Sequence, residues 1–228
     1  MSAVAVAAGL CVLGAYLMGS IPFLYLQRRS RLRRDLRRHD TGRAGAADSR
    51  SGNWLPTVVE VAVVLVAASV AWRVVASVSP GHGSPRIVAG VATFSDQVLV
   101  PWQSVALWAG LAATLGQVAP VWLQFRGGSG VAPAAALLAV FSPVGFFGAC
   151  AGYGIGLAVT RSDVGGTGVA ALFLVTTAWV AWVLDVKALW GVPNGPEACL
   201  WSAALGAAVF AASRSGRGTA GPTLADGR

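Results

Sequence analysis

Histidine and cysteine are scarce in this sequence. Its 228 residues include two histidines and three cysteines. Cys11, Cys150 and Cys199 lie in or beside apolar runs, with neither the spacing of a disulfide framework nor that of metal ligands. Since no histidine, cysteine and carboxylate cluster is apparent, we expect no metal site and no cofactor, and we interpret the cysteines as packing residues.

Charge is also scarce. Only 11% of the residues are charged, 55% are hydrophobic, and Arg126 is the single charged residue between Gln97 and Thr160. The mean hydropathy is +0.65. This composition excludes an ordinary soluble domain and indicates an integral membrane protein.

The charge that is present is concentrated in one segment. The net charge is +8, and nine of the 17 basic residues are arginines between Arg28 and Arg50. Arginine-rich loops stay in the cytoplasm, so we expect this segment inside and the N-terminus outside. Nucleic-acid binding is disfavoured, because no aromatic side chains suitable for base stacking are interleaved with the arginines.

Apolar runs separated by turn residues predict an all-α integral membrane protein. We expect about seven transmembrane helical elements, with the N-terminus outside and the C-terminus cytoplasmic. Ser142-Pro143 divides a run that is too long for one span, because proline disfavours helix at the preceding residue. The predicted elements are 3–26, 55–78, 98–119, 131–141, 143–159, 168–184 and 198–212.

The chain is expected to form one membrane domain, residues 1–213, followed by a disordered basic tail, residues 214–228. Pro22 predicts a kink near the cytoplasmic end of the first span. Residues 79–97 are expected to form an external loop. Glu60 places a carboxylate within the second span, where it is expected to face the bundle interior; the alternative is that it reaches the membrane interface.

A glycine-rich turn joins two apolar runs near the middle of the chain. Three of its four central residues are glycines, and an apolar run that begins a helix follows at once. Clustered backbone N–H groups, a helix N-terminus and an arginine together suit a phosphate. The alternative is a tight turn with one arginine at the lipid headgroups. The candidate phosphate-binding residues are Arg126, Gly127, Gly128, Ser129 and Gly130.

A second glycine turn lies within the arginine-rich segment. It contains Thr41, Gly42, Arg43, Gly45 and Asp48, which combine a flexible backbone with polar and charged side chains. Such a turn can hold an anionic substrate. The alternative is that the segment only sets orientation and contacts anionic lipid.

Several of these motifs occur in an order that is known from one protein family. Together they resemble the bacterial acyl-phosphate-dependent glycerol-3-phosphate acyltransferase family, over roughly residues 12–64 and 107–168. The motifs that carry the resemblance are Gly19-Ser20-Ile21-Pro22-Phe23, the turn from Gly42 to Asp48, Glu60, Pro120-Val121, Phe125-Arg126-Gly127-Gly128-Ser129-Gly130-Val131 and Thr160-Arg161.

The resemblance implies a multi-pass enzyme of the bacterial inner membrane. It would transfer a fatty acyl group from acyl phosphate to glycerol 3-phosphate in phospholipid synthesis, with membrane lipid around it and lysophosphatidic acid as its product. Arg126 and the amides of 127–130 would bind the donor phosphate. Thr41, Arg43, Arg161 and Thr167 would bind glycerol 3-phosphate.

The sequence departs from the family pattern at several positions. Gln117 stands where the family has histidine, and an amide cannot titrate. Ser129 stands where the family has lysine, and the turn from Gly42 to Asp48 lacks the two asparagines of the family pattern. The general base is not assigned; Asp48 and Gln117 are candidates, and a phosphate oxygen of the substrate is another.

Two other functions remain open. The first is a relative without catalytic activity that binds lipid or acyl phosphate, or serves as a scaffold, which the loss of motif residues favours. The second is a small membrane transporter, which Glu60 and the broken helices suggest.

Overall fold

The computed structural model describes residues 3–21, 55–78, 86–88, 91–93, 101–123, 128–184, 186 and 190–215. Within these ranges the chain forms seven helices and one antiparallel hairpin. The elements are α1 (Ala3–Gly19), α2 (Leu55–Val78), β1 (Arg86–Val88), β2 (Val91–Thr93), α3 (Pro101–Val118), a 3₁₀ turn (Val121–Leu123), α4 (Val131–Phe141), α5 (Pro143–Thr160), α6 (Asp163–Val183) and α7 (Pro196–Ser215).

Four of the helices are long and apolar enough to cross a membrane: α2 from Thr57 onward, α5, α6 and α7. Helices α1 and α4 are apolar but shorter. Large apolar side chains such as Leu10, Val159 and Leu172 are exposed on the helix surfaces, as lipid-facing residues are. The predicted helical membrane protein is therefore confirmed, and the break at Ser142 is confirmed with it.

The break is built by Ser142 itself. Its backbone N–H donates to the carbonyl oxygen of Leu138 at 2.8 Å and so ends α4. Its hydroxyl oxygen then accepts from the N–H of Gly145 at 3.3 Å and caps α5, with Pro143 in the first turn.

Contacts at the two ends of the bundle fix the directions of the last four helices. Next to the end of α4, the Trp190 indole donates to the carbonyl oxygen of Ala139 at 3.0 Å, and Val192 N–H donates to Phe141 at 2.8 Å. The α6–α7 connection therefore lies beside the α4–α5 break. The α5–α6 turn lies at the other end, which we call the site end.

The first helices meet the same end. Helices α1 and α3 approach backbone to backbone, because a Cβ on Gly19 would overlap Ala113 and one on Gly116 would overlap Tyr16 and Ser20. The Tyr16 hydroxyl donates to the carbonyl oxygen of Ala119 at 2.9 Å. The C-terminal ends of α1 and α3 thus lie together at the site end, close to the N-terminus of α4.

Two predictions about the connections were wrong. Helix α6 begins at Asp163 rather than Gly168, because Ser162 accepts from the N–H of Gly165 at 3.1 Å and caps the helix there. Residues 86–93, predicted to be part of a loop, contain the β1–β2 hairpin, in which Arg86 pairs with Thr93. Pro22 lies outside the described residues.

Candidate functional site

The glycine turn is held by the backbone of Gln117. The N–H of Gly128 donates to the Gln117 carbonyl oxygen at 3.0 Å. Gly130 has a φ of 66°, the left-handed conformation that favours glycine, and a Cβ there would overlap the side chain of Val118. Gly128 and Ser129 are exposed. Arg126 and Gly127, also predicted to bind phosphate, lie outside the described residues.

Helix α4 begins directly after this turn. Gly130 is its N-cap and supplies no side-chain hydrogen bond. The first N–H groups of a helix have no partner within the helix, and the helix dipole makes that end attractive to anions. The exposed turn and the uncapped helix start together can bind a phosphate.

The Gln117 side chain connects α3 to α2. Its Nε2 donates to the backbone carbonyl oxygen of Glu60 at 2.8 Å. Its Oε1 is buried and finds no hydrogen-bond partner among the described residues. The Glu60 side chain is half-buried. Gln117, a candidate for catalysis in the sequence, is thus engaged through its amide nitrogen in holding two helices together.

Arg161 occupies the two-residue turn between α5 and α6. Its φ is 50°, and no other described residue except glycine has positive φ. Its N–H donates to Leu157 at 2.9 Å and ends α5, while its side chain is exposed at the site end. Arginine occupies a backbone conformation in which glycine or asparagine would be less strained.

Thr167 lies one turn into α6. Its hydroxyl donates to the backbone carbonyl oxygen of Asp163 at 2.7 Å, and the residue is buried. The Tyr153 hydroxyl of α5 contacts Asp163 Oδ1 at 3.5 Å. Sequence reasoning assigned no role to Asp163 or Tyr153. The signal for Asp163 was its place directly after Ser162, a typical helix cap followed by an acidic first turn.

An apolar cavity of about 330 Å³ opens beside these residues. It lies between α4, α5, α6 and α7, and Val131, the first residue of α4, lines it together with Tyr153 and Thr167. The start of α4 therefore borders both the exposed glycine turn and the apolar cavity. The sequence did not predict this cavity.

Several predicted site residues are not described by the structure: Thr41, Gly42, Arg43, Gly45, Asp48, Arg126 and Gly127. The structure brings Gln117, Gly128, Ser129 and Gly130 together around the turn. Thr167 and Val131 both line the cavity. Among the described residues, no three histidine, cysteine, aspartate or glutamate side chains group in a way that could hold a metal ion.

Comparison with known proteins identifies relatives along most of the chain. A glycerol-3-phosphate acyltransferase of Myxococcus xanthus is 33% identical over 179 residues, 78% of this chain and 83% of the relative. Glycerol-3-phosphate acyltransferase 3 of Dehalococcoides mccartyi is 40% identical over 124 residues, 54% of this chain and 53% of the relative. Glycerol-3-phosphate acyltransferase 2 of Bacillus cereus is 32% identical over 132 residues, 58% of this chain and 56% of the relative.

The chain spans about half the length of the last two of these relatives. No solved structure matches it. The family model described as glycerol-3-phosphate acyltransferase matches residues 9–216, which include every described helix from the second turn of α1 to the end of α7. The chain therefore belongs to the glycerol-3-phosphate acyltransferase family.

Proposed function

We propose that this protein transfers a fatty acyl group from acyl phosphate to glycerol 3-phosphate, producing lysophosphatidic acid and inorganic phosphate. One observation carries the proposal: the N-terminus of α4 adjoins an exposed glycine turn on one side and an apolar cavity on the other. A donor with an anionic head and an apolar tail matches that pair of surfaces.

The donor phosphate is assigned to the turn and to the start of α4. The N–H groups of Ser129 and Gly130 and of the first two residues of α4 would donate to its oxygens, and Arg126 would add a charge. The acyl chain is assigned to the cavity, with its carbonyl carbon near Val131. This arrangement leaves the carbonyl oxygen close to backbone donors, which stabilise the negative charge that develops on it.

Acyl phosphate is already activated, so no covalent nucleophile is needed. The hydroxyl oxygen of glycerol 3-phosphate attacks the carbonyl carbon, the bond to the phosphate oxygen breaks, and the hydroxyl proton passes to a base. Positioning of the two reactants then supplies most of the acceleration.

The acceptor is assigned to the α5–α6 turn and the arginine-rich segment. Arg161 is exposed at the site end and would bind its phosphate together with Arg43 and Thr41. Thr167 already donates its proton to Asp163, so its hydroxyl oxygen can only accept from a substrate hydroxyl. Asp163 adds a described carboxylate to Asp48 and the substrate phosphate as candidates for the base.

The site end is assigned to the cytoplasm of a bacterial cell, with the protein in the inner membrane. The end of α1 and the start of α2 lie at this end, and the arginine-rich segment comes between them in the sequence, which supports the assignment through the positive-inside rule. The N-terminus would then be outside and the C-terminus, with its basic tail, inside.

The test is a reaction of purified protein in detergent with acyl phosphate and glycerol 3-phosphate, measuring phosphate release and lipid product together. An acyl thioester replaces acyl phosphate in a parallel reaction. Product from acyl phosphate alone supports the proposal, and product from the thioester alone identifies a different donor. Saturable binding of acyl phosphate without turnover favours a relative that only binds it.

The Arg126→Ala variant tests the donor site directly. Loss of one charge-assisted phosphate contact should lower turnover by about 10- to 150-fold, since such a contact contributes about 1.5–3 kcal/mol. Arg126→Lys should recover part of the loss, because lysine retains the charge without the fork geometry. Unchanged kinetics in Arg126→Ala would make Arg126 a headgroup contact instead.

A further inference from the structure

The cavity is lined unevenly along its length. Each of its four helices contributes residues at successive turns, so the lining can be ordered from the site end to the opposite end. The residues nearest the site end are Val131, Tyr153, Thr167 and Val209. The residues furthest from it, one from each helix, are Leu138, Phe146, Leu174 and Leu205.

The side chains between these two sets are small. They are alanines, one cysteine and one glycine: Ala134, Ala135, Ala149, Cys150, Ala170, Ala171 and Gly206. The far set consists of three leucines and one phenylalanine, so the lining changes from small to large where the cavity ends. We call Leu138, Phe146, Leu174 and Leu205 the floor of the cavity.

Three of the four floor residues are firmly packed. Leu138, Leu174 and Leu205 are 5%, 3% and 1% exposed, so they are supported from behind by the core. A Cβ on Gly145 would lie 2.9 Å from Leu174, which shows that α5 already contacts this leucine closely. A chain that reaches the floor cannot pass it without displacing buried side chains, which costs free energy.

We propose that the floor sets the length of acyl chain that the protein uses, an inference that rests on the proposed function. From Val131 to Leu138 the helical rise gives a depth of about 10 Å. Longer chains leave their terminal methylenes outside the cavity.

The proposal predicts a break in the dependence on chain length. For acyl phosphates that are monomeric in water, each methylene buried in the cavity should raise kcat/KM about fourfold, and methylenes beyond the floor should add nothing or lower it. A series of saturated acyl phosphates of increasing length should therefore show a rise that stops at the chain whose terminal methyl group reaches the floor, about 10 Å from Val131.

Floor variants should move this break. Leu205→Ala should extend the rise to longer chains, by about three carbons for the volume removed. Phe146 is only partly buried, so Phe146→Ala is a second way to lower the floor if Leu205→Ala folds poorly. Ala135→Leu fills the middle of the cavity and should therefore move the break to shorter acyl chains.

The matched control is Leu13→Ala. Leu13 lines a separate apolar groove between α1 and α3 and is 56% exposed. The same leucine-to-alanine change there should leave the chain-length profile unaltered. A profile that shifts equally in Leu13→Ala, or that stays fixed in both Leu205→Ala and Phe146→Ala while wild type turns over, would overturn the proposal and leave the proposed function standing.

A second measurement does not depend on turnover. Cys150 lines the cavity and is exposed, so in a Cys11→Ser, Cys199→Ser background a membrane-permeant maleimide reports its access. Acyl phosphate should slow the labelling, by severalfold at saturation, and in Leu205→Ala the longer chains should protect better than in the parent. Absence of protection by every chain length would overturn the proposal, whereas protection without turnover would contradict only the catalytic function.

Discussion

Gln117 donates from its side-chain amide to the backbone carbonyl oxygen of Glu60 at 2.8 Å, while its backbone carbonyl oxygen accepts from the N–H of Gly128 at 3.0 Å. One residue therefore links α2, α3 and the glycine turn. Removing the side chain leaves a carbonyl group of α2 without this partner. We expect Gln117→Ala to lower the free energy of unfolding by about 1 kcal/mol in a thermal or denaturant unfolding measurement. The bond from Gly128 to the backbone carbonyl of residue 117 should remain.

Restoring the family side chains should increase activity. Gln117→His combined with Ser129→Lys supplies an imidazole at the end of α3 and an ammonium group at the turn. General acid or base catalysis contributes typically 10²–10⁴-fold, so the double variant should exceed wild type in acyl transfer. Each single variant serves as a control. Lower activity in the double variant would indicate a site adapted to another substrate.

Arg161 allows strain and function to be separated. Arg161→Ala and Arg161→Gly both remove the guanidinium, but only alanine keeps a Cβ at a φ of 50°. We expect both variants to lose turnover to a similar extent, and Arg161→Gly to be about 1 kcal/mol more stable than Arg161→Ala. Thermal unfolding and kinetics measured on the same preparations provide the test. Full activity in Arg161→Gly would remove Arg161 from the acceptor site.

The crossing of α1 and α3 should not tolerate a single methyl group. A Cβ on Gly116 would lie 2.7 Å from Ser20 N, so Gly116→Ala forces the helices apart and should cost about 1–3 kcal/mol. Gly14→Ala is the matched control, because a Cβ there meets no described atom within 4 Å. It should be neutral or stabilising by up to about 1 kcal/mol through helix propensity. Equal melting temperatures for the two variants would contradict the packing described here.

Glu197 offers a test at the opposite end of the bundle. Its Oε1 accepts from the Trp108 indole at 2.8 Å and from the Ser104 hydroxyl, so it joins the start of α7 to α3. Glu197→Ala leaves both donors without this partner and should lower stability by about 1–3 kcal/mol. Because the site lies at the other end, KM for glycerol 3-phosphate should be unchanged in the folded fraction. A selective change in KM would place part of the acceptor site elsewhere.

Orientation can be tested by labelling single cysteines introduced into a cysteine-free background. Positions 43, 129 and 162 should react with a membrane-impermeant thiol reagent from the cytoplasmic side, and position 83 from outside. The pairing of 129 with 162 follows from α4 and α5 returning to the same end. Opposite labelling of these two positions would contradict the proposed arrangement in the membrane.

Local chemistry made some features predictable. The bounds of α2 were predicted as observed, since an apolar run flanked by polar residues defines them. The break at Ser142-Pro143 was predictable because proline acts on its immediate neighbour. The start of α6 was missed because Gly165 and Gly166 suggest a loop, whereas here they allow close packing against Thr160 and Gly156.

Other features depend on partners distant in sequence. The Gln117 amide bonds a backbone carbonyl 57 residues away, and a backbone acceptor carries no sequence signal. The cavity exists only because small residues on four helices face one another. Alanine and glycine are common in packed membrane helices, so their presence alone could not distinguish a cavity wall from a helix contact.

The short α4 has a consequence for membrane asymmetry. Its 11 residues rise about 16 Å, roughly half of a 30 Å hydrocarbon core, and the loop at Trp190–Val192 meets its last turn. The cavity, which ends at Leu138, thus occupies the depth of a single leaflet. A lysolipid made there would enter the leaflet that faces the site, and a separate step would be needed to carry it to the other one.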